Sequence, residues 1–255
     1  MISNFFSLIV YQPLYNGLIF LMDIMPWADA GVSVIVFTFI VKLALFPLSQ
    51  KATVTQLKMK ALENDIAILK EKHKDDREAH ARATMALYKE KNVNPFTTFF
   101  LAFIQIPIIL ALYYIFYSGG LPDIKTDLLY SFVSAPVVTM HFLGIIDIAT
   151  KGSLILAILV SISQYFQVRF SMPAMKPKVQ GAPVSMKDDF ARTLNLQMRY
   201  FLPGLVGVIA YNISGAVSLY WITSNLFAIG QELYVRQSFA KAANKSVSRP
   251  VNLPG

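Results

Sequence analysis

The residue whose setting most suggests chemistry is Lys42, within Thr38-Phe39-Ile40-Val41-Lys42-Leu43-Ala44-Leu45-Phe46-Pro47-Leu48. A charged side chain at the centre of a bilayer costs about 2.5–3.5 kcal/mol on insertion scales, so a cation in an apolar helix is a candidate for function. A competing account is snorkelling. Lys42 lies six residues from Leu48, about 9 Å by helix rise, and a lysine stem covers part of that distance. Other apolar segments carry Gln105, Gln164, Gln167, Asn212, Ser214, Ser224 and Asn225. Singly, each is ordinarily an interhelical hydrogen bond. Taken together, Lys42, Thr38, Gln105, Gln164, Gln167, Asn212, Ser224 and Asn225 are the expected lining of one water-accessible cavity on the cytoplasmic half.

Other chemistry lacks its residues. The chain has no Walker loop and no dinucleotide-binding glycine pattern, and His73, His80 and His141 show no metal-ligand spacing. With no cysteine, disulfides, thiol nucleophiles, cysteine zinc sites and a lipid-modified N-terminal cysteine are excluded. Glu232, near the cytoplasmic end of the last apolar segment, is the sole acid in these segments, which argues against a relay of carboxylates. No catalytic residue, metal or cofactor is expected, and a soluble enzyme is not.

The elements that must position Lys42 are membrane spans. Of 255 residues, 55% are hydrophobic and 15% charged, against about 45–50% and about 25% in soluble domains. Mean hydropathy is +0.50. A bilayer asks for about 20 apolar residues per helix. Ala30–Leu48, Pro95–Tyr117, Leu154–Phe170, Asn195–Ile213 and Ala216–Val235 answer, the third borrowing length from Ser153, Ser171 and Met172.

The net charge of +8 is distributed asymmetrically. Lys51, Lys58, Lys60, Lys70, Lys72, Lys74, Arg77, Arg82, Lys89 and Lys91 lie between the first two spans. Arg169, Lys176, Lys178, Lys187, Arg192 and Arg199 lie around the third-to-fourth connection, and Arg236, Lys241, Lys245 and Arg249 in the tail. Only Lys125 and Lys151 fall on the opposite side. Short cytoplasmic loops retain Lys and Arg, so the basic segments are assigned to the cytoplasm and nucleic acid is not an expected partner.

The expected fold is an all-α integral membrane protein, a five-helix core with a cytoplasmic hairpin and an N-terminal interfacial helix. Residues 1–29 hold that helix, with Gln12, Asn16 and Asp23 on one face; a polar stripe suits a helix in the membrane plane, although a sixth span there stays open by length. Spans follow at 30–48, 95–117, 154–172, 195–213 and 216–235. Residues 49–94 form the hairpin, with Leu62, Ile66 and Leu69 on one arm, Ala79, Ala83 and Ala86 on the other, and Asp75 with Glu78 at capping-box spacing. Asn94 and Pro95 open the next span. Residues 118–153 form an external loop, since a span at Leu128–Ala149 would place the later basic segments outside. Residues 173–194 are a cytoplasmic loop and 236–255 a short basic tail.

Four stretches carry a family likeness: Thr38–Leu48, with one basic residue and a Pro-Leu end; Met85-Ala86-Leu87-Tyr88-Lys89 with Val93-Asn94-Pro95; Gln105-Ile106-Pro107-Ile108 through Ala111-Leu112-Tyr113-Tyr114; and Ser214-Gly215, Leu219-Tyr220-Trp221-Ile222 and Ser224-Asn225-Leu226. In this order, with a charged hairpin between the first two spans, they resemble the YidC/Oxa/Alb family of membrane protein insertases. The resemblance runs from about Gly31 to Arg236. It implies five helices around a hydrophilic groove open to cytoplasm and lipid, and insertion without nucleotide hydrolysis. It places Lys42 where the family usually has Arg, keeping charge but not the planar fork of a guanidinium. Trp221 stands where relatives often have Tyr. Substrate contact is expected at Pro107, Ile108, Tyr220 and Trp221, on a lipid-facing surface. The implied partners are nascent membrane proteins and the lipid bilayer, with the Sec translocon, ribosome or targeting components at the hairpin and the 173–189 loop. Two other classes compete: a small-solute transporter or channel using Lys42 as counter-ion, and a structural factor binding finished helices. The transporter predicts repeats with broken helices, and the sequence has none.

Overall fold

In hydrocarbon, backbone N–H and C=O groups must be satisfied within the segment, which leaves helices for a chain as apolar as this one. The computed structural model describes residues 4–74, 76–117, 121, 123–172 and 193–247, and the architecture is all-α apart from one short strand pair. A π-helical turn at Ser7–Tyr11 leads into α1 (Gln12–Ile24). Then come α2 (Ala30–Ala61), α3 (Glu63–Lys72), α4 (Arg77–Glu90) and α5 (Phe96–Tyr117). Strands β1 (His141–Phe142) and β2 (Ile146–Asp147) precede α6 (Leu154–Ser171). A second π-helical turn at Gln197–Phe201 leads into α7 (Leu202–Tyr211), and α8 (Gly215–Val247) closes the chain. Among the described residues, Ser7–Ile24, Ala30–Ala61 and Leu154–Ser171 are long and apolar enough to cross a bilayer.

Packing divides the chain into two units, Met1–Leu43 with Ile106–Gly230 and Ala44–Gln105 with Gln231–Gly255. Helices α2, α5 and α8 each pass from one to the other unbroken.

In the first unit, α6 and α7 meet through Ala157, Val160, Val206 and Ala210, with Leu202, Trp221 and Ile222 against them. Gly207 permits this approach: a β-carbon there would lie 1.9 Å from Ser161 Oγ and 3.3 Å from the Ala157 carbonyl. The loop after α5 then satisfies helix ends that would otherwise be orphaned. The Ala30 amide donates to the Thr139 carbonyl (3.0 Å), and those of Gly215 and Ala216 to Thr150 (3.1 Å) and Ile148 (3.0 Å). The Gly152 amide donates to the Tyr211 carbonyl (2.9 Å). Leu128–Ala149 forms no helix beyond the single turn Thr126–Leu128, so one stretch of loop terminates three helices.

The N-terminal helix uses its polar stripe differently from the sequence expectation. Asn16 is buried. Its amide donates to the Leu128 carbonyl (2.9 Å) and its carbonyl accepts from the Tyr130 amide (2.6 Å). The centre of the stripe thus faces protein rather than water.

In the second unit, α2 continues through Pro47 to Ala61, past the span end expected at Leu48. A one-residue break at Leu62 (φ −89°, ψ 2°) separates α2 from α3. Ile66 and Leu69 on α3 and Ala79 and Ala83 on α4 are half-buried, whereas Ala86 is exposed. The cap of α4 is Asp76, whose carboxylate accepts from the Glu78 and Ala79 amides (2.9 Å each); Asp75, expected in that role, lies outside the described residues. Asn94 accepts from the Phe96 amide (3.0 Å) where α5 opens. Where α2 passes α8, the Gln231 amide donates to Ser49 (2.7 Å) and buried Glu232 accepts from Thr53 (3.4 Å) and from Arg236 (2.7 Å).

Candidate functional site

Burial along α2 has helical period. Ala30, Ser33, Val34, Phe37 and Thr38 are buried, Lys42, Leu45 and Ser49 are half-buried, and Ala52 and Thr53 are buried again. Phe39, Ile40, Leu43 and Pro47 are exposed on the other face. Lys42 therefore continues the protein-facing stripe one turn beyond Thr38, away from the lipid-facing side. Thr38 is fully buried and its hydroxyl donates to the Val34 carbonyl (2.6 Å), which occupies it within its own helix.

A connected set of polar groups joins α6 to α8. The amide of buried Asn225 donates to Ser163 Oγ (3.1 Å) and to Gln164 Oε1 (3.2 Å). Gln164 in turn donates to Gln167 (3.2 Å), and Gln167 to Ser171 Oγ (3.2 Å). Ser163 donates onward to the Val160 carbonyl (2.9 Å). From Ser163 to Ser171 the ladder climbs about 12 Å along α6. Its upper member is buried, whereas Gln164, Gln167 and Ser171 are only half-buried. These groups are preorganised by bonds to one another, and their half-buried edges can still take water or a peptide group.

The position of Lys42 relative to this ladder follows from a ring contact. Phe39 on α2 meets Phe227 on α8 edge-on, centroids 5.8 Å apart. Both helices run the same way from their loop-capped ends, with Lys42 three residues beyond Phe39 and Asn225 two before Phe227. Their axial offset is about 7.5 Å by helix rise.

The remaining expected residues are distributed unevenly. Ser224 is buried beside Asn225. Gln105 is half-buried on α5 in the second unit. Asn212 is not gathered with the others: it is exposed at the end of α7, and its amide donates to the Val208 carbonyl of its own helix (2.8 Å). Ile108 and Tyr220 are buried, 8% and 3% exposed, so neither lies on a lipid-facing surface as the sequence suggested. Pro107 is half-buried, and Trp221 packs against the α6–α7 core. The exposed apolar face of α5 is instead Phe100, Phe103, Ile106 and Leu110, and that of α7 is Leu205, Val208 and Ile209. Ser163 and Ser171 were not picked out from the sequence. The available signal was their spacing from Gln167, four residues to either side on one helical face.

Apolar helices enclosing linked amides and hydroxyls, with a lysine on the inner face of one, define a polytopic membrane protein that keeps hydrogen-bonding capacity inside the bilayer. The model for the 60Kd inner membrane protein family matches residues 20–242. The chain belongs to that family. It is 31% identical over 237 residues to the membrane protein insertase YidC of Clostridium perfringens, covering 92% of this chain and 89% of that one. It is 33% identical over 207 residues to the protein of that name from Clostridium acetobutylicum (79% and 71% covered). With the one from Clostridium tetani the identity is 27% over 246 residues (96% and 93% covered). The likeness read from Thr38–Leu48 and the other three stretches is thus a family relation, and the chain is a bacterial membrane protein.

Proposed function

We propose that this protein is a membrane protein insertase, passing hydrophilic segments of substrate proteins through a polar groove open to the cytoplasm and releasing their apolar segments into lipid without nucleotide hydrolysis. The observation that carries this reading is the ladder Asn225–Gln164–Gln167–Ser171. A peptide group taken into hydrocarbon without a partner costs several kcal/mol. A row of amides reaching toward the end of α6 supplies partners over part of that path and shortens what remains. Lys42⁺ attracts an acidic segment as a point charge.

The apolar part of the substrate lies along Ile106 and Leu110 of α5 and Leu205, Val208 and Ile209 of α7, which are exposed. Pro107 is half-buried and Trp221 packs on the α6–α7 core, while Ile108 and Tyr220 are buried. The hairpin and tail face the cytoplasm by the positive-inside rule. The hairpin is the contact for ribosome, targeting components or the Sec translocon by analogy with fold relatives; the 173–189 loop, assigned the same role from the sequence, lies outside the described residues.

The test is reconstitution in liposomes with a one-span substrate bearing an acidic translocated segment. Lys42→Ala should lower its protease-protected yield about fivefold, the equivalent of about 1 kcal/mol, while Lys42→Arg keeps it. An alanine variant that inserts every substrate normally removes the role of the cation. Solute flux without insertion would point to a transporter.

A further inference from the structure

Away from the groove, the loop between α5 and α6 contains a strained turn. In the pairing of β1 with β2, His141 lies opposite Asp147 and Phe142 opposite Ile146. The Ile145 amide donates to the Phe142 carbonyl (3.0 Å), and both central residues of that turn have positive φ, Leu143 at 53° and Gly144 at 71°. Turns of this hand suit the twist of a hairpin, and they favour Asn-Gly or Asp-Gly because a bulky side chain disfavours positive φ. A leucine in the first position is an outlier. Strain of this kind persists where the surrounding structure enforces it, and it marks positions whose side chain has a use.

The surrounding structure does enforce it. One carboxylate oxygen of Asp29 caps α2 by accepting from the Val32 amide (2.8 Å), and the other accepts from the Leu143 amide (2.8 Å). Phe142 lies directly on Gly31, where a β-carbon would come within 2.4 Å of its ring. The tip is thereby pinned beside the first turn of α2, at the end where that apolar helix begins. Yet its side chains are not covered: Leu143 is 64% exposed, Ile145 80% and Trp27, two residues before Asp29, 78%. Among these three there is no charge to favour water. Further along α2, Phe39, Ile40 and Leu43 are exposed, as lipid-facing residues must be.

We propose that this hairpin tip is a membrane anchor, with Leu143 and Ile145 inserted at the headgroup–acyl boundary of the leaflet where α2 begins, and Trp27 seated at the same boundary. By the charge asymmetry of the chain, this is the leaflet away from the cytoplasm. Indole rings favour that boundary, and a rigid turn presents its aliphatic side chains without further ordering cost. The bilayer, rather than a protein, is the occupant because the tip stands at the starting level of a span, where lipid must be present. The anchor is independent of how substrates are inserted.

Because the chain has no cysteine, Leu143→Cys provides a unique thiol for an environment-sensitive nitrobenzoxadiazole label in phospholipid vesicles. The label should emit with a blue shift, lose most of its emission to lipids carrying a nitroxide near the headgroup, and resist aqueous iodide. A label at Glu71→Cys, on the charged α3, should behave in the opposite way. Quenching of the Leu143→Cys label by iodide and not by lipid nitroxide overturns the proposal; so does protection from both, which would mean a protein covers the tip. Ile145→Cys carries the same readout if Leu143→Cys does not fold. Leu143→Asn, which suits the turn but removes the aliphatic group, should raise iodide access to a label at Ile145→Cys, and no change there would also count against insertion.

Discussion

In the unit formed by Met1–Leu43 and Ile106–Gly230, several buried polar side chains hold backbone or one another inside the fold. Asn16 holds the backbone of Leu128 and Tyr130, Asp29 holds Val32 and Leu143, and Asn225 holds Ser163 and Gln164. In the unit formed by Ala44–Gln105 and Gln231–Gly255, charge is dense and lies mostly at the surface. Lys74 pairs with Glu71, Arg82 with Glu78 and Lys91 with Glu90, every partner about half exposed or more. The Glu90 carboxylate holds Lys91 above its ordinary pKa, which changes nothing at neutral pH because lysine is charged there already. Glu232, buried and bonded to Arg236 and Thr53, and Gln231, bonded to Ser49, resemble the first unit in style. The difference follows from dielectric. Surface pairs compete with water and are worth little, whereas a buried amide that loses its partner bears its full desolvation cost. A few polar groups in the first unit therefore determine structure, whereas the surface pairs of the second contribute little to stability.

That contrast can be broken most forcefully at the α6–α7 contact. Gly207→Leu drives side-chain atoms into Ser161 and the Ala157 carbonyl, and should lower stability by about 3 kcal/mol, read as a drop in the unfolding midpoint in detergent. Next is Asn225→Ala, which leaves Gln164 Oε1 without its donor. A loss of about 1–3 kcal/mol is expected; a variant as stable as the parent would show that water already serves the ladder. Asp76→Ala removes the cap of α4 and should cost about 1 kcal/mol, visible as faster amide exchange at Glu78 and Ala79 with the first unit unaffected. The smallest effect belongs to Arg82→Ala, within about 0.5 kcal/mol. If Arg82→Ala matched Asn225→Ala in a side-by-side thermal scan, the distinction between the two units would fail.

Much of this organisation was legible in residue order because membrane insertion is itself a coarse filter. Runs of about 20 apolar residues mark membrane helices, and a lone lysine among them stands out. The amides of α6 were visible for the same reason. Their connection to Asn225 was not, and Asn212 shows why: by type and setting it matched Asn225, yet it bonds to its own helix at an exposed end. Proline was similarly ambiguous. By residue order Pro47 closes a span at Leu48, but α2 runs on to Ala61, since a proline costs a helix one hydrogen bond and neighbouring packing can compensate.

The sequence alone determined the class of protein and singled out the lysine around which function is proposed. Each depends on totals of hydrophobicity and charge over a segment, which need no neighbours. The tertiary structure decided which face of each span looks inward. The span portions of α2 (residues 30–48) and α5 carry apolar residues on every side, so no stripe in the sequence separates lipid-facing from protein-facing positions. That is why Ile108 and Tyr220 moved from the surface to the interior, and why Lys42 could be placed on the buried stripe only once its neighbours were known. It is also why a leucine at a hairpin tip, unremarkable in the sequence, became a feature with a strained backbone and an exposed apolar side chain.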